Sequence, residues 1–274
     1  MTWRSVSPRH INYRTHWQRS TVRRITRNYV RYLAIADVFL CVRRGGYANT
    51  MPREEYQTKL EGLRDDVLYM SEVVAERLRM GLDALERQDG ELGEEVITGD
   101  AEINELYLEL EGQCTDLIAL QQPVAGDLRF IAASFKIITD LERIADLATN
   151  LGEYAKRADR EVFPDVDVQR IGDDTLEMLE QAMAAYAESD PELCHAVAEA
   201  DDEVDAACEA ASELVVRDLI ERDELREEAD VEGTMRNVSR LLLTIRDLER
   251  VGDHAVNIAA RSLYMIENDD ELLY

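Results

Sequence analysis

Apolar side chains recur every three or four residues along most of this chain. Leu60, Leu63, Val67, Met70, Val74, Leu78, Gly81 and Leu85 keep that spacing for about 25 residues, the period of one helix face. The pattern predicts a first helix over 52–88, opened by Pro52 with Glu54 and Glu55 in its first turn and ended near Gly90. Further helices are predicted over 91–120, from Pro123 to about 160, and over 166–188, 191–223 and 231–268. No segment has the strand period. The stretch VFPDVD around Pro164 is the clearest break, dividing the six helices into a set of three at 51–162 and another at 163–274. Helices this long, joined by short loops, pack as antiparallel bundles. The expected fold is therefore all-α: two tandem pseudo-symmetric three-helix bundles.

One segment occurs twice. Residues 139–151 read TDLERIADLATNL and residues 246–258 read RDLERVGDHAVNI, with seven of thirteen positions identical. Leu128, Ile131, Phe135 and Ile138 define an apolar stripe whose next positions are Glu142 and, one turn on, Asp146. In the second copy Leu242 and Ile245 lead to Glu249 and Asp253, and Val256 closes the stripe. Carboxylates four residues apart on a helix have Cβ atoms about 6 Å apart. They repel by about 3 kcal/mol at an effective dielectric near 20. A pair placed where Leu is expected needs protons, an arginine or a cation.

Each half also carries a second acidic helix. VITGDAEINEL sets Asp100 among Val96, Ile97 and Ile103 with Asn104 one turn later, and AEADDEVDAAC places Asp201 and Asp205 equivalently. Oxygen-only donor sets suit hard or borderline cations such as Mg, Mn or ferric iron. Asp140 and Asp247 precede Arg143 and Arg250 by three residues, the spacing of a local ion pair, and His254 is expected to be non-ligating. A di-iron bundle needs Glu-x-x-His, and the corresponding positions are Ala145 and Gly252, which excludes that oxygen-activating site.

Composition sharpens this picture. Few Gly and Pro and abundant Ala, Leu, Glu and Arg favour helix. No run of 18 uncharged apolar residues occurs, so no membrane insertion is expected; LAIADVFLCV at 33–42 is too short and contains Asp37. Cys41, Cys114, Cys194 and Cys208 have no zinc-type spacing and are expected to be reduced, mostly buried thiols of a cytoplasmic protein. The net charge is −27, yet residues 1–50 contain ten Arg and a single acid, Asp37, so the remainder carries −36. Such acidity suits solubility in strong salt and excludes nucleic acid as a partner of the body. The basic extension 1–50 has three readings: an arm for nucleic acid or acidic membrane, a targeting segment, or an upstream extension of a chain that starts at Met51. We favour the last. No nucleophile–base pair, Gly-rich phosphate loop or Walker sequence supports an enzyme.

The residues PVAGDLRFIAASFKIITDLERIADLATN (123–150) and LLLTIRDLERVGDHAVNIA (241–259) resemble the PhoU family, accessory regulators of phosphate uptake, and the likeness extends over 52–268. The resemblance implies paired three-helix bundles whose E(D)xxxD motifs hold multinuclear iron or zinc. Carried over, Glu142, Asp146, Glu249 and Asp253 would be ligands, with Asp100, Asp201 and Asp205 as partners from neighbouring helices. Ala145 stands where the motif usually has Gly, and Asn104 replaces an acid. The implied role is negative regulation through contact with the ATP-binding subunit of a phosphate ABC transporter, or a phosphate-sensing histidine kinase, and a homodimer is expected. A metal-free helical adaptor and a metal-dependent phosphoester hydrolase are the competing classes.

Overall fold

The computed structural model describes residues 53–120, 123–157, 166–221 and 231–273. The extension 1–50 and the proposed start at Met51 lie outside the described residues. The described chain forms α1 (Arg53–Arg87), α2 (Gly90–Leu120), α3 (Ala125–Lys156), α4 (Val168–Glu188), α5 (Pro191–Glu221) and α6 (Val231–Glu267), followed by a 3-10 turn at Glu271–Leu273. No strand occurs among the described residues, so the fold is all-α, as expected. The third helix starts two residues after Pro123, with Val124 extended at its N-cap.

The turns after α1 and α4 share one chemistry. Gln88 (φ 53°) and Ser189 (φ 56°) adopt the left-handed conformation that ends a helix. The next residue in each case, Asp89 or Asp190, donates its backbone N–H five residues back, to the carbonyl of Ala84 or Ala185. Its carboxylate then caps the following helix: Asp89 accepts from the N–H of Glu91 (2.9 Å) and Leu92 (3.1 Å), and Asp190 from that of Glu192 (2.9 Å). Residues of α1 and α2 therefore recur in α4 and α5 at an offset of 101, whereas α3 recurs in α6 at 107.

One continuous apolar core runs through both triplets. The predicted α1 stripe is buried from Leu60 through Gly81, and only Leu85 is half-buried. In α3 the stripe needs correction. Leu128 is 37% exposed and Phe135 half-buried. Ile131 and Ile138 are fully buried as expected, in a row with Ser134, Leu141, Ala145 and Ala148. Leu242 of α6 is likewise half-buried, and Ile245, Leu248, Val251 and Ala255 form its core row. The acidic pairs thus flank the buried row and do not continue it. Gly93 of α2 and Gly152 of α3 meet where the helices cross: a Cβ on either would lie 2.7 Å from the other's carbonyl oxygen.

The two triplets belong to one compact unit, Thr50–Tyr274, and meet like helix to like helix, α3 on α6 and α1 on α4. Such reciprocal pairing is the pattern of a pseudo-two-fold axis. The duplicated motif supplies the seam. Asp247 is fully buried, and its Oδ2 accepts hydrogen bonds from Asn150 Nδ2 (3.1 Å) and Tyr154 Oη (2.8 Å) of α3. Its Oδ1 accepts from Nη2 (2.8 Å) and Nε (3.3 Å) of Arg246. Asp140, the equivalent residue of α3, contacts His254 Nδ1 of α6 at 2.9 Å. The expected local pairs Asp140–Arg143 and Asp247–Arg250 are not formed. Both aspartates turn across the seam, where a partner on the other repeat shields them from water better than the exposed rim does.

Candidate metal centre

Glu142 and Asp146 of α3 lie half-buried, and Glu249 and Asp253 of α6 are exposed on the side facing Asp201 and Asp205 of α5. The second repeat brings its four predicted residues together. Asp201 is half-buried, and its carboxyl is pushed up to about 6, first by burial and then by the charges of Asp205, Asp253, Asp202 and Glu249. Glu249 is shifted in the same direction by burial, Asp205 and Asp253. Like charges held this close favour the protonated form unless a cation joins them. Asp201 Oδ1 is buried and has no hydrogen-bond partner.

Gly252 makes room for that oxygen. A Cβ there would stand 3.0 Å from Asp201 Oδ1, with Met178 Cε and Val204 Cγ1 each at 3.7 Å. The absent side chain lets α6 approach α5 directly over the carboxylate. Among the described residues, Asp205, Glu249 and Asp253 form no hydrogen bond or ion pair. Cys208, one turn beyond Asp205, is buried beside the cluster. Its thiol is pushed up to about 12 by burial, then by Glu249, Asp205 and Asp201. The spacing of Cys208, one helical turn beyond Asp205, is the sequence signal that links this cysteine to the site.

The first repeat is built differently. Asp100 Oδ2 accepts a hydrogen bond from Asn104 Nδ2 (2.7 Å), which also donates to the Asp100 carbonyl (2.8 Å). Arg143 sits between the acids of its own motif, with Nε 3.6 Å from Glu142 Oε2 and Nη1 3.5 Å from Asp146 Oδ2. Arg77 of α1 lies over Gly99, where a Cβ would be 2.1 Å from Nη1. Its Nη2 is 3.4 Å from Glu102 Oε2.

Among the described residues, no group of three or more His, Cys, Asp or Glu side chains is arranged to hold a metal ion as it stands. The two sets nevertheless differ in fit. The second has an orphaned buried oxygen, a berth that a Cβ would fill, and three exposed carboxylates with no hydrogen bond or ion pair among the described residues. The first has its acids already engaged. His254 contacts Asp140 rather than the cluster.

Comparison with known proteins agrees with this duplication. The PhoU domain matches twice, at residues 67–155 and 168–262. The chain belongs to the PhoU family. It is 34% identical over 218 residues to the phosphate-specific transport system accessory protein PhoU homolog 1 of Methanothermobacter thermautotrophicus, covering 78% of this chain and 95% of that protein. With the PhoU homolog of Synechocystis it shares 32% identity over 225 residues, 81% of this chain and 96% of the relative. The crystal structure of PhoU from Pseudomonas aeruginosa superposes with a TM-score of 0.71 at 28% identity, over 78% of this chain and all of that one. No helix among the described residues is long and apolar enough to cross a membrane.

Proposed function

We propose that this protein is a negative regulator of phosphate uptake, acting by contact with the ATP-binding subunit of a phosphate ABC transporter or with a sensor kinase coupled to it. The observation that carries this reading is the double match to the PhoU domain, together with relatives named as accessory proteins of phosphate-specific transport. The role is one of binding, not turnover. The acidic clusters would serve it by holding a cation, iron or zinc by family likeness and Mg or Mn by donor chemistry, that ties α5 to α6. A cation there would stabilise one crossing angle between helices and so one presentation of the partner-binding face.

The test is deletion of the gene, with phosphate uptake and polyphosphate measured in replete medium. Uptake should rise, and should fall back when the gene is restored. Unchanged uptake and polyphosphate, in a strain without a second copy, would remove the regulatory assignment. Complementation with a Glu142→Gln/Glu249→Gln chain then separates the classes. Full restoration of regulation favours a metal-free adaptor, whereas partial failure favours a cation-dependent one.

A further inference from the structure

We propose that the two acidic clusters are not equivalent, and that only the second-repeat cluster takes up a cation. In the first repeat a guanidinium of the chain itself, Arg143, occupies the cation's place between Glu142 and Asp146. The inference rests on the cation reading above and adds its location and number: one centre per chain, built from Asp201, Asp205, Glu249 and Asp253.

Pairing equivalent positions shows four differences, all in one sense. Asp205 of the second repeat corresponds to Asn104, so the first loses a carboxylate, and the amide donates to Asp100 instead. Met178 corresponds to Arg77, so the first gains a cation on the neighbouring helix. Gly252 corresponds to Ala145, a fully buried methyl in place of the berth over Asp201. Arg143 contacts both carboxylates of its motif, whereas its counterpart Arg250 is exposed and forms no ion pair among the described residues. A cation entering the first repeat would have to displace Arg143 from two acids. In the second it would instead relieve the mutual repulsion of four carboxylates and engage the orphaned Asp201 Oδ1.

The experiment uses the full chain, stripped with chelator and titrated with Mn²⁺ alone. Bound ion is counted by equilibrium dialysis with elemental analysis and by loss of the free-ion EPR signal. The parent should bind Mn²⁺ and show a raised thermal midpoint. Asp201→Asn/Glu249→Gln should weaken binding at least tenfold and abolish the thermal shift. Glu142→Gln/Asp146→Asn should leave affinity within twofold and the shift intact. Asn104→Asp/Arg143→Gln should add a second class of site. Circular dichroism confirms that each variant folds, and every changed side chain is partly or fully exposed. Equal losses from the two carboxylate variants, or no new site in the Asn104/Arg143 variant, would overturn the asymmetry. A parent that binds neither Mn²⁺ nor, in parallel, Zn²⁺ or iron would overturn the cation reading on which it rests.

Discussion

Removing the Asp247 carboxylate should loosen the seam between the repeats more than any change at the rim. The side chain is fully buried, and the two donors on its Oδ2, Asn150 and Tyr154, come from the opposite repeat. Hydrogen bonds to a charged acceptor contribute about 1.5–3 kcal/mol each. Asp247→Ala forfeits both and leaves the Tyr154 hydroxyl without its acceptor, so breaking this network should cost about 3–5 kcal/mol. Arg246→Ala removes the counter-charge of the buried carboxylate but leaves its hydrogen bonds from Asn150 and Tyr154, so it should cost less, about 1.5–3 kcal/mol. Replacing Asp247 together with the half-buried Tyr154, as in Asp247→Leu/Tyr154→Phe, should recover part of the loss, because the tyrosine hydroxyl is then no longer left without its acceptor. Urea unfolding of the four chains at fixed salt, compared at equal m-value, measures the differences. Should Asp247→Ala unfold within about 0.5 kcal/mol of the parent, the seam is not held by this carboxylate. A double variant no more stable than Asp247→Ala would instead show that tyrosine desolvation is not the cause.

Two further outcomes follow from the packing and charge. A Cβ at Gly172 of α4 would lie 2.2 Å from Leu82 Cδ2 of α1, so Gly172→Ala should destabilise by about 1–3 kcal/mol, and Leu82→Ala in the same chain should relieve part of that; additive losses in denaturant melts would refute the contact. In metal-stripped protein burial and neighbouring carboxylates push Asp201 up to about 6 from an ordinary value of 3.8, so the folded state holds its proton more tightly, and the contribution of this group to stability is full below about pH 4 and lost as pH rises through 6. Glu249 shifts in the same direction and adds the same sign; thermal melts of parent and Asp201→Asn chains that decline equally over that window would exclude Asp201 as the source.

Much of the helical framework was legible in the chain itself. Every predicted helix is present, and the boundaries agree within a few residues: 52–88 against Arg53–Arg87, 191–223 against Pro191–Glu221. These ends are local decisions, made by Asp89 and Asp190 as caps and by a left-handed residue before each. The duplicated DLER segments likewise marked residues that matter. Periodicity, however, resolves a helix face only to about one residue's rotation of 100°. It sets Asp140 and Glu142 on different sides of the helix but does not say what covers each: Asp140 turns to the other repeat, and Glu142 flanks the buried row. Sequence spacing placed Arg143 beside Asp140, while the fold sets it between Glu142 and Asp146.

The helices, their number and the acidity of two helix rims were written in residue order, because propensity, capping and amphipathic period act over a few neighbouring residues. The pairing of α3 with α6 and the burial of Asp247 against Tyr154 were decided only in three dimensions, as were the close crossing at Gly93 and Gly152 and the difference between the two acidic clusters. Each depends on which surface arrives from a distant part of the chain. Whether a carboxylate on a helix rim meets water or three other carboxylates is set by that surface, and even where the partner is a sequence neighbour, as Arg143 is for Glu142 and Asp146, the fold decides which way its side chain turns.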